Sequence, residues 1–335
     1  MGGSAVLALF ALGVATASDH AAVDRSRLQC ALQEAAAKGM EDLLLLPLLL
    51  SVDASRRSAS TGGGGGGHSA FVELGAYNGI DGSQTLMLER CFGWGGVLIE
   101  ANPTNFAALC ESNRSSSMLH AAVCNETANG TVPISTKGGT VAGDVSTMGK
   151  HQKLQWIAAR GAETVPVPCR PLLQLARDST SLLAAGPVAG CAHAAAAKLA
   201  APRGGGAEVR MPHHAHRKRF QYLSLDVEGA ELRVLQSVPD LASRPFDVAL
   251  VECQLDRHRA PKYAGSRGVA SLLNQSGYAA VPFQQASSGG GVNCLYALPP
   301  FDELARRLEP WPRAPNTMDS LVAQLAKLDI GVTDA

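Results

Sequence analysis

Apolar positions in the middle of the chain form short, nearly continuous runs that are separated by amphipathic stretches. Seven runs rich in β-branched and aromatic residues predict strands, at 70–75, 96–101, 118–124, 222–227, 246–252, 278–283 and 293–298. Helical periodicity predicts helices at 83–92, 103–112 and 228–237. Strands without an alternating polar face are typical of a mainly parallel sheet that helices cover on both faces. The pattern therefore predicts a doubly wound α/β fold.

The segments outside this pattern have a biased composition. The composition of residues 18–68 predicts a tether that ends in a glycine linker. This segment contains a leucine run at 42–50, which Pro47 interrupts and which is too short to span a membrane. That run is expected to dock onto the core or onto a membrane surface. The Ala-, Gly- and His-rich stretch 178–219 predicts a disordered insertion. The predicted units are 1–17 signal peptide, 18–68 tether, 69–300 catalytic domain with the insertion, and 301–335 helical extension.

The start of the chain and the cysteines bear on the compartment. No charge occurs between Ser4 and Ala17, and Ala15-Thr16-Ala17 has the small-x-small pattern of a signal-peptide cleavage site. Eight cysteines form an even set without a CxxC pair, and four N-x-S/T sequons occur. These features predict a glycoprotein of the ER or Golgi lumen, or a secreted protein. If the leader is not functional, the protein is cytoplasmic. The cysteine pairing stays open, because 8 cysteines allow about 105 connectivities.

Charge and composition exclude several classes of protein. The chain carries 29 basic and 29 acidic residues, which argues against a protein that binds nucleic acid through phosphates. Hydrophobic residues make up 46% of the chain, so a buried core is available. We expect no stable membrane span, and the sequence leaves the oligomeric state open.

A glycine-containing turn follows the first predicted core strand. Gly75, Gly79 and Gly82 lie where a strand must turn into a helix, and glycines there allow a close approach of the backbone to a ligand. A dinucleotide fingerprint, G-x-G-x-x-G, would need a glycine at position 77, where the sequence has Tyr77. This turn therefore disfavours NAD and FAD.

Acidic residues end three further strands. Glu100 follows the glycine turn at the spacing of a carboxylate that binds ribose hydroxyls. Asp226 and Glu252 end two later strands and are expected to lie on one rim of the sheet. Glu228 and Glu231 fall in the first turn of a helix, where the helix dipole alone accounts for acidic residues.

Five segments together resemble the FkbM family of S-adenosylmethionine-dependent methyltransferases. They are FVELGAYNGIDGSQT, WGGVLIEANPTNF, GDVSTM, YLSLDVEGAELRVL and DVALVE, and they follow the family's order over most of 69–299. The resemblance implies a class I methyltransferase-like, Rossmann-like fold with a seven-stranded, mostly parallel sheet and one antiparallel strand. It also implies S-adenosylmethionine as cofactor and methyl transfer to a hydroxyl of a glycan or other small hydroxylated acceptor.

The same resemblance implies roles for individual residues. The methionine end of the cofactor would be surrounded by Glu73, Gly75, Ala76, Asn78 and Gly79. Glu100 would hold the ribose, with Ala101 and Asn102 beside the adenine.

Methyl transfer to a hydroxyl requires positioning and removal of a proton. Asp226 is the first candidate for the base, and Glu252 and His258 are alternatives. Asp226, Glu228 and Glu252 could instead hold a divalent cation, but no ligand spacing indicates a metal site.

Two other functions are compatible with parts of the sequence. The domain could be a catalytically inactive FkbM-like binding or trafficking module of the secretory pathway. It could also be a nucleotide-dependent oxidoreductase, which Tyr77 disfavours.

Overall fold

The computed structural model describes most of the chain outside its biased segments. The described residues are 22–37, 39–59, 69–125, 130–136, 143–147, 161, 163–177, 189–191, 219–253, 264–282, 292–308 and 315–334. The predicted signal peptide, the glycine linker and most of the predicted insertion lie outside them.

The described residues form strands and helices that alternate through the middle of the chain. The strands are β1 (Ala22–Asp24), β2 (Ala70–Leu74), β3 (Gly95–Glu100), β4 (Ser117–His120), β5 (Ala122–Val123), β6 (Thr131–Ser135), β7 (Thr164–Arg170), β8 (Ala189–Gly190), β9 (Phe220–Leu225), β10 (Phe246–Cys253), β11 (Ala279–Val281), β12 (Val292–Ala297) and β13 (Gly331–Thr333). The helices are α1 (Arg25–Glu34), α2 (Glu41–Ala59), α3 (Leu86–Phe92), α4 (Pro103–Leu109), α5 (Leu172–Arg177), α6 (Glu231–Gln236), α7 (Ala264–Gln275), α8 (Phe301–Arg307) and α9 (Met318–Ala326).

The main sheet is mixed, and it has one more strand than predicted. In the described part of the chain its order is β11-β12-β10-β9-β2-β3-β4-β8, which is eight strands in place of the predicted seven. The pairs from β10 through β9, β2 and β3 to β4 are parallel. β12 is antiparallel to both β10 and β11, and β8 is antiparallel to β4. The α/β class is confirmed. The described sheet differs from the predicted seven strands with one antiparallel strand by the addition of β8, which is a second antiparallel strand beside β12. The extra edge strand, Ala189–Gly190, belongs to a segment too biased in composition to show a strand pattern.

Two hydrophobic clusters lie on opposite faces of this sheet. On one face, strand residues such as Phe71, Tyr222 and Leu250 pack with α1, α2, α3, α8 and α9. On the other face, residues such as Val72 and Leu223 pack with α5, α6 and α7. Successive strand residues point to opposite faces, so both sides of the central strands are apolar. This burial explains the nearly continuous apolar runs of the sequence.

A second, three-stranded sheet has the order β5-β7-β6. It splits the predicted strand 118–124, because Ala121 separates β4 of the main sheet from β5 of the small one. β6 and β7 were not predicted. Their interiors contain Pro133, Pro166 and Pro168, which weaken a strand pattern in the sequence.

The N-terminal segment that was predicted as a tether contributes to the core. The apolar residues from Leu43 to Val52 in α2 are buried. Arg56 of the same helix binds the fully buried carboxylate of Asp247, with Nε 2.9 Å from Oδ2. The described residues 22–37 and 39–59 therefore do not form a tether. The leucine run packs onto the core, which is one of the two positions expected for it. Among the described residues, no helix is long and apolar enough to cross a membrane.

All eight cysteines form disulfides. The pairs are Cys30–Cys91, Cys110–Cys191, Cys124–Cys169 and Cys253–Cys294. The first links α1 to α3, and the second attaches the end of β8 to the end of α4. These two disulfides hold α1 and β8 on the central domain, whereas Cys124–Cys169 joins the end of β5 to β7 and Cys253–Cys294 joins β10 to β12.

The C-terminal extension is helical, as the amphipathic patches 302–308 and 318–328 predict. α8 and α9 match these patches to within a few residues. The last strand, β13, pairs in parallel with β1 and so joins the two described ends of the chain.

Candidate functional site

The carboxyl edge of the main sheet aligns four residues from distant parts of the chain. In the parallel strands β2, β9 and β10, Glu73 pairs with Ser224 and Ser224 pairs with Leu250. Two residues further along each strand come Gly75, Asp226 and Glu252, which therefore form one row across the sheet. Glu252 in turn pairs with Asn293 on β12. Because residues in register point to the same face of a sheet, this row carries three polar side chains beside one glycine. The row contains Asp226 and Glu252, the two acidic strand ends that were predicted to lie on one rim of the sheet.

The turn after β2 is built by backbone hydrogen bonds. Gly75 and Ala76 both donate to the carbonyl of Ile99, at 3.0 and 3.2 Å. Gly75 has φ +77°, and a Cβ at that position would lie 1.8 Å from the carbonyl oxygen of Asp226. Glycine is therefore required there to let the end of β2 approach the end of β9.

Asn78 and Gly79 shape the middle of the turn. The Asn78 side-chain oxygen accepts hydrogen bonds from the backbone of Ile80 and Asp81, at 3.0 and 2.8 Å. Gly79 has φ +74°, and a Cβ there would lie 2.5 Å from Leu109. The buried Arg114 donates to the Gly79 carbonyl at 2.7 Å. Both predicted cofactor residues thus stabilise the shape of the turn.

Glu73 anchors the far end of the same turn. Its carboxylate is buried and accepts hydrogen bonds from Ser83 Oγ at 3.0 Å and from the backbone N–H of Gln84 at 2.9 Å. The hydroxyl of Thr85 also donates to it. Three donors satisfy most of the accepting capacity of this carboxylate.

Glu100 lies at the end of β3 and braces the turn from the other side. It accepts hydrogen bonds from the backbone N–H groups of Tyr77 at 2.8 Å and Asn102 at 2.7 Å. Burial raises the pKa of Glu100 to about 7, while the bond from Asn102 and that from Tyr77 act in the opposite direction. The side chain of Asn105 and the backbone N–H of Ala101 also donate to Glu100, so four donors match the about four acceptor positions of its carboxylate.

Ala101 and Asn102 join β3 to α4. The Asn102 side chain caps α4 by accepting from Thr104 and Asn105, and it donates to the Ser135 carbonyl at 2.8 Å. The carbonyl of Ala101 contacts His120 Nε2 at 3.0 Å. Asn102 is therefore a capping residue, and its amide is committed to the fold.

Asp226 and Glu252 form a pair of acidic side chains at the rim. Burial raises the pKa of Glu252 well above its usual range, and the charges of Asp226, Glu228 and Glu231 add to the effect. The hydrogen bond between Glu252 and Asp226 stabilises the protonated form of Glu252 further. Glu252 is therefore the member that keeps a proton, and Asp226, which is exposed, is the partner that accepts its hydrogen bond.

Glu231 takes no place in this pair. Its carboxylate accepts hydrogen bonds from the backbone of Val227 at 3.2 Å and Gly229 at 3.0 Å, just before α6. This agrees with the local structural role that its position in the first helical turn indicates. Among the described residues, no three His, Cys, Asp or Glu side chains meet in a geometry that could hold a metal ion.

A polar pocket opens between the turn and the sheet. It is lined by Glu73, Leu74, Gly75, Gly82, Gln84, Ser224, Leu225, Asp226, Leu250 and Asn293. The side-chain oxygen of Gln84 is buried without a hydrogen-bond partner. A buried acceptor without a partner is costly, so this oxygen fits a ligand that brings a hydrogen-bond donor.

The structure brings together part of the predicted site. Glu73, Gly75 and Asp226 line the pocket, and Glu100 reaches the same turn from behind without lining it. His258 lies outside the described residues. Sequence analysis missed Gln84, Ser224 and Asn293. The signal that could have found two of them is a polar residue inside an otherwise apolar strand.

Comparison with known proteins identifies the family. No curated protein matches the chain. The sequence matches the Methyltransferase FkbM domain over residues 73–278, which is more than half of its length and contains the end of β2, the glycine turn and the three acidic strand ends. The chain therefore belongs to the FkbM methyltransferase domain family.

Proposed function

We propose that the protein is an S-adenosylmethionine-dependent O-methyltransferase whose acceptor is a hydroxyl of a glycan or another small hydroxylated molecule. The observation that carries this proposal is the pocket, because Gly75 of the family's glycine turn and the carboxylate of Asp226 line it together. The family match supports methyl transfer as the reaction class.

The residues at this edge fit S-adenosylmethionine. The unpartnered Gln84 oxygen suits a donor such as the α-ammonium group of the cofactor. Glu100 ends the strand that follows the glycine turn, which is the position of a carboxylate that binds the two ribose hydroxyls. Gly75, Ala76 and the turn after them would hold the methionine end through the backbone, and Asn78 and Gly79 would act indirectly, by fixing the shape of that turn.

The cofactor supplies a methyl group on a sulfonium, and the protein must position the acceptor and take its proton. Asp226 is exposed at the rim and accepts a hydrogen bond from the protonated Glu252. The carboxylate of Asp226 would be the base to which the acceptor's hydroxyl proton moves. Glu252 orients that carboxylate and so acts as a positioning residue.

The disulfides support a location in the secretory pathway. Disulfides persist in oxidising compartments and are rare in the cytosol, and here they involve all eight cysteines. Three of the four sequons have an exposed asparagine in the described part of the chain, namely Asn113, Asn125 and Asn274. Alkylation of the unreduced full-length protein, followed by mass spectrometry, is expected to detect no free thiol. Several free thiols would contradict this location.

Calorimetric titration with S-adenosylmethionine tests the function. The intact protein is expected to bind it and not NAD. Glu100→Ala is expected to weaken binding about tenfold or more, because a hydrogen bond to a charged group contributes about 1.5–3 kcal/mol. Glu163→Ala serves as a control, since Glu163 is an exposed glutamate before β7.

Two outcomes would overturn parts of the proposal. Absence of S-adenosylmethionine binding by the intact, folded protein would favour the inactive binding module. Equal affinities for the Glu100 and Glu163 variants would show that Glu100 does not hold the ribose. A screen of sugar acceptors with labelled methyl donor then identifies the hydroxyl that is methylated.

A further inference from the structure

The segment before the matched family region contributes to the wall of the pocket. The backbone carbonyl of Ala36, between α1 and α2, accepts a hydrogen bond from Gly82 at 3.0 Å. Gly82 lines the pocket at the far end of the glycine turn. The match to the family begins at residue 73, so this contact joins the family domain to a segment that the match does not contain.

A second contact from the same segment reaches the opposite wall. Oε1 of Glu41, the first residue of α2, accepts a hydrogen bond from Nδ2 of Asn293 at 3.1 Å. Asn293 lines the pocket and pairs across the sheet with Glu252. The other oxygen of Glu41 accepts from the backbone of Gly39 at 2.9 Å, so the carboxylate has a fixed orientation. Glu41 itself is 2% exposed.

The turn that carries these two contacts is well anchored. The carboxylate of Asp42 accepts hydrogen bonds from Ala36 at 2.8 Å, Ala37 at 3.2 Å and Leu43 at 2.9 Å. The Cys30–Cys91 disulfide fixes α1 to α3, which follows the glycine turn in the chain. Ala36 and Glu41, which make the two contacts with the pocket, are therefore fixed in position by the bonds of Asp42 and by the attachment of α1.

We propose that Glu41 and Asn293 are positioning residues of the methyl-transfer site. Glu41 holds the Asn293 amide beside Glu252 and, together with the Ala36 contact, fixes the pocket between β12 and the glycine turn. The leucines of α2 already secure that helix through extensive burial, so the single Glu41–Asn293 bond has its main effect on the pocket. The inference rests on the proposed function in assuming that this pocket binds the cofactor.

The test compares Glu41→Ala, Asn293→Ala and the double variant in the full-length protein. The probe is S-adenosylhomocysteine, which has the nucleoside and amino-acid parts of the cofactor without the transferred methyl group. Each single variant is expected to bind it about tenfold more weakly, and the double variant no more weakly than Asn293→Ala, because Glu41 acts through Asn293. Glu41→Gln keeps an acceptor oxygen and is expected to retain most of the affinity.

Glu34→Ala is the matched control. Glu34 also joins the N-terminal segment to α3, through Arg90 at 2.7 Å, but it does not line the pocket. A merely structural role predicts that the Glu41 and Glu34 variants lose stability to urea without a difference in ligand affinity. That result, or additive losses of affinity in the double variant, would overturn the inference.

A measurement without ligand separates this inference from the proposed function. If the intact protein binds neither S-adenosylmethionine nor S-adenosylhomocysteine, the proposed function fails. The inference about Glu41 is then still decided by amide hydrogen exchange in residues 75–85 and 292–297. Glu41→Ala is expected to accelerate exchange in both segments relative to Glu34→Ala. Equal exchange in the two variants would show that Glu41 does not order the pocket.

Discussion

The backbone of Gly75 lies directly against the carbonyl group of Asp226. A Cβ on Gly75 would be 1.8 Å from that oxygen, and the Asp226 N–H donates to the carbonyl of Leu74 at 3.2 Å. The turn after β2 and the candidate base that directly follows β9 are therefore fixed to one another through main-chain atoms. A displacement of either one must move the other.

Gly75→Ala is expected to destabilise the protein strongly, because the new methyl group meets backbone that cannot move aside. Gly93 offers a matched comparison, since its φ is +69° but a Cβ there meets nothing within 4 Å. Gly93→Ala should lower the free energy of unfolding by only about 1–2 kcal/mol, because alanine is strained in the left-handed conformation. Urea denaturation of both variants measures the difference. Similar losses would contradict the close approach at Gly75.

Affinity for S-adenosylmethionine is expected to rise with pH near neutrality. Burial raises the pKa of Glu100 to about 7, so the ionised form, which accepts hydroxyl hydrogen bonds better, becomes the main form only above that pH. Calorimetric titrations between about pH 6 and 8 measure this effect, and binding should release protons on the acidic side of the range. In Glu100→Ala the dependence should disappear. An affinity that falls as pH rises would contradict it.

Glu252→Gln tests the pair of acidic side chains at the rim. The pKa of Glu252 is raised above its usual 4.5, so the folded state keeps a proton that the unfolded state loses. Its contribution to stability is therefore complete below about pH 4.5 and is lost as pH rises. Glutamine is neutral and can still donate to Asp226. The variant's free energy of unfolding should fall less steeply than that of the wild type between about pH 5 and 8.

The comparison in urea isolates Glu252, because Glu100 and Asp42, whose pKa values are also raised by burial, are present in both proteins. Parallel pH profiles for the variant and the wild type would mean that Glu252 is not the protonated member of the pair.

Arg56→Ala tests the place of α2 in the core. Arg56 and Arg219 both bind the buried carboxylate of Asp247, and removing one cation leaves that charge only partly compensated. The expected cost is about 2 kcal/mol or more. Arg57, the next residue along, makes an exposed pair with Asp53, and Arg57→Ala should cost less than about 1 kcal/mol. Urea denaturation distinguishes the two. Equal effects would contradict a structural role for this helix.

Much of the fold was predictable because it depends on local pattern. Continuous apolar runs indicate strands buried on both faces, and the main-sheet strands β2, β3, β9, β10 and β12 lie within two residues of their predicted positions. The small sheet was missed because its strands contain prolines, and β8 because its surroundings are low in complexity. The sequence alone did not determine whether the leucine run of α2 packs onto the core or onto a membrane surface.

The candidate site was predictable only in outline. The glycines and the acidic residues at strand ends were found because their chemistry follows from their place in a strand–turn–helix unit. The hydrogen bonds by which Asn78 and Asn102 stabilise the fold could not be predicted from the sequence, because the partners of a side chain depend on the folded geometry.

By itself, the sequence determined the α/β class, the position of the glycine turn and which carboxylates end the strands, because these depend on residues close together in the chain. The tertiary structure decided that Gly75, Asp226, Glu252 and Asn293 form one row, and that Glu41 reaches the last of them. It also decided which cysteines pair. Such relationships join residues that are far apart in the chain, and strand register and helix packing set them only when the whole core is assembled.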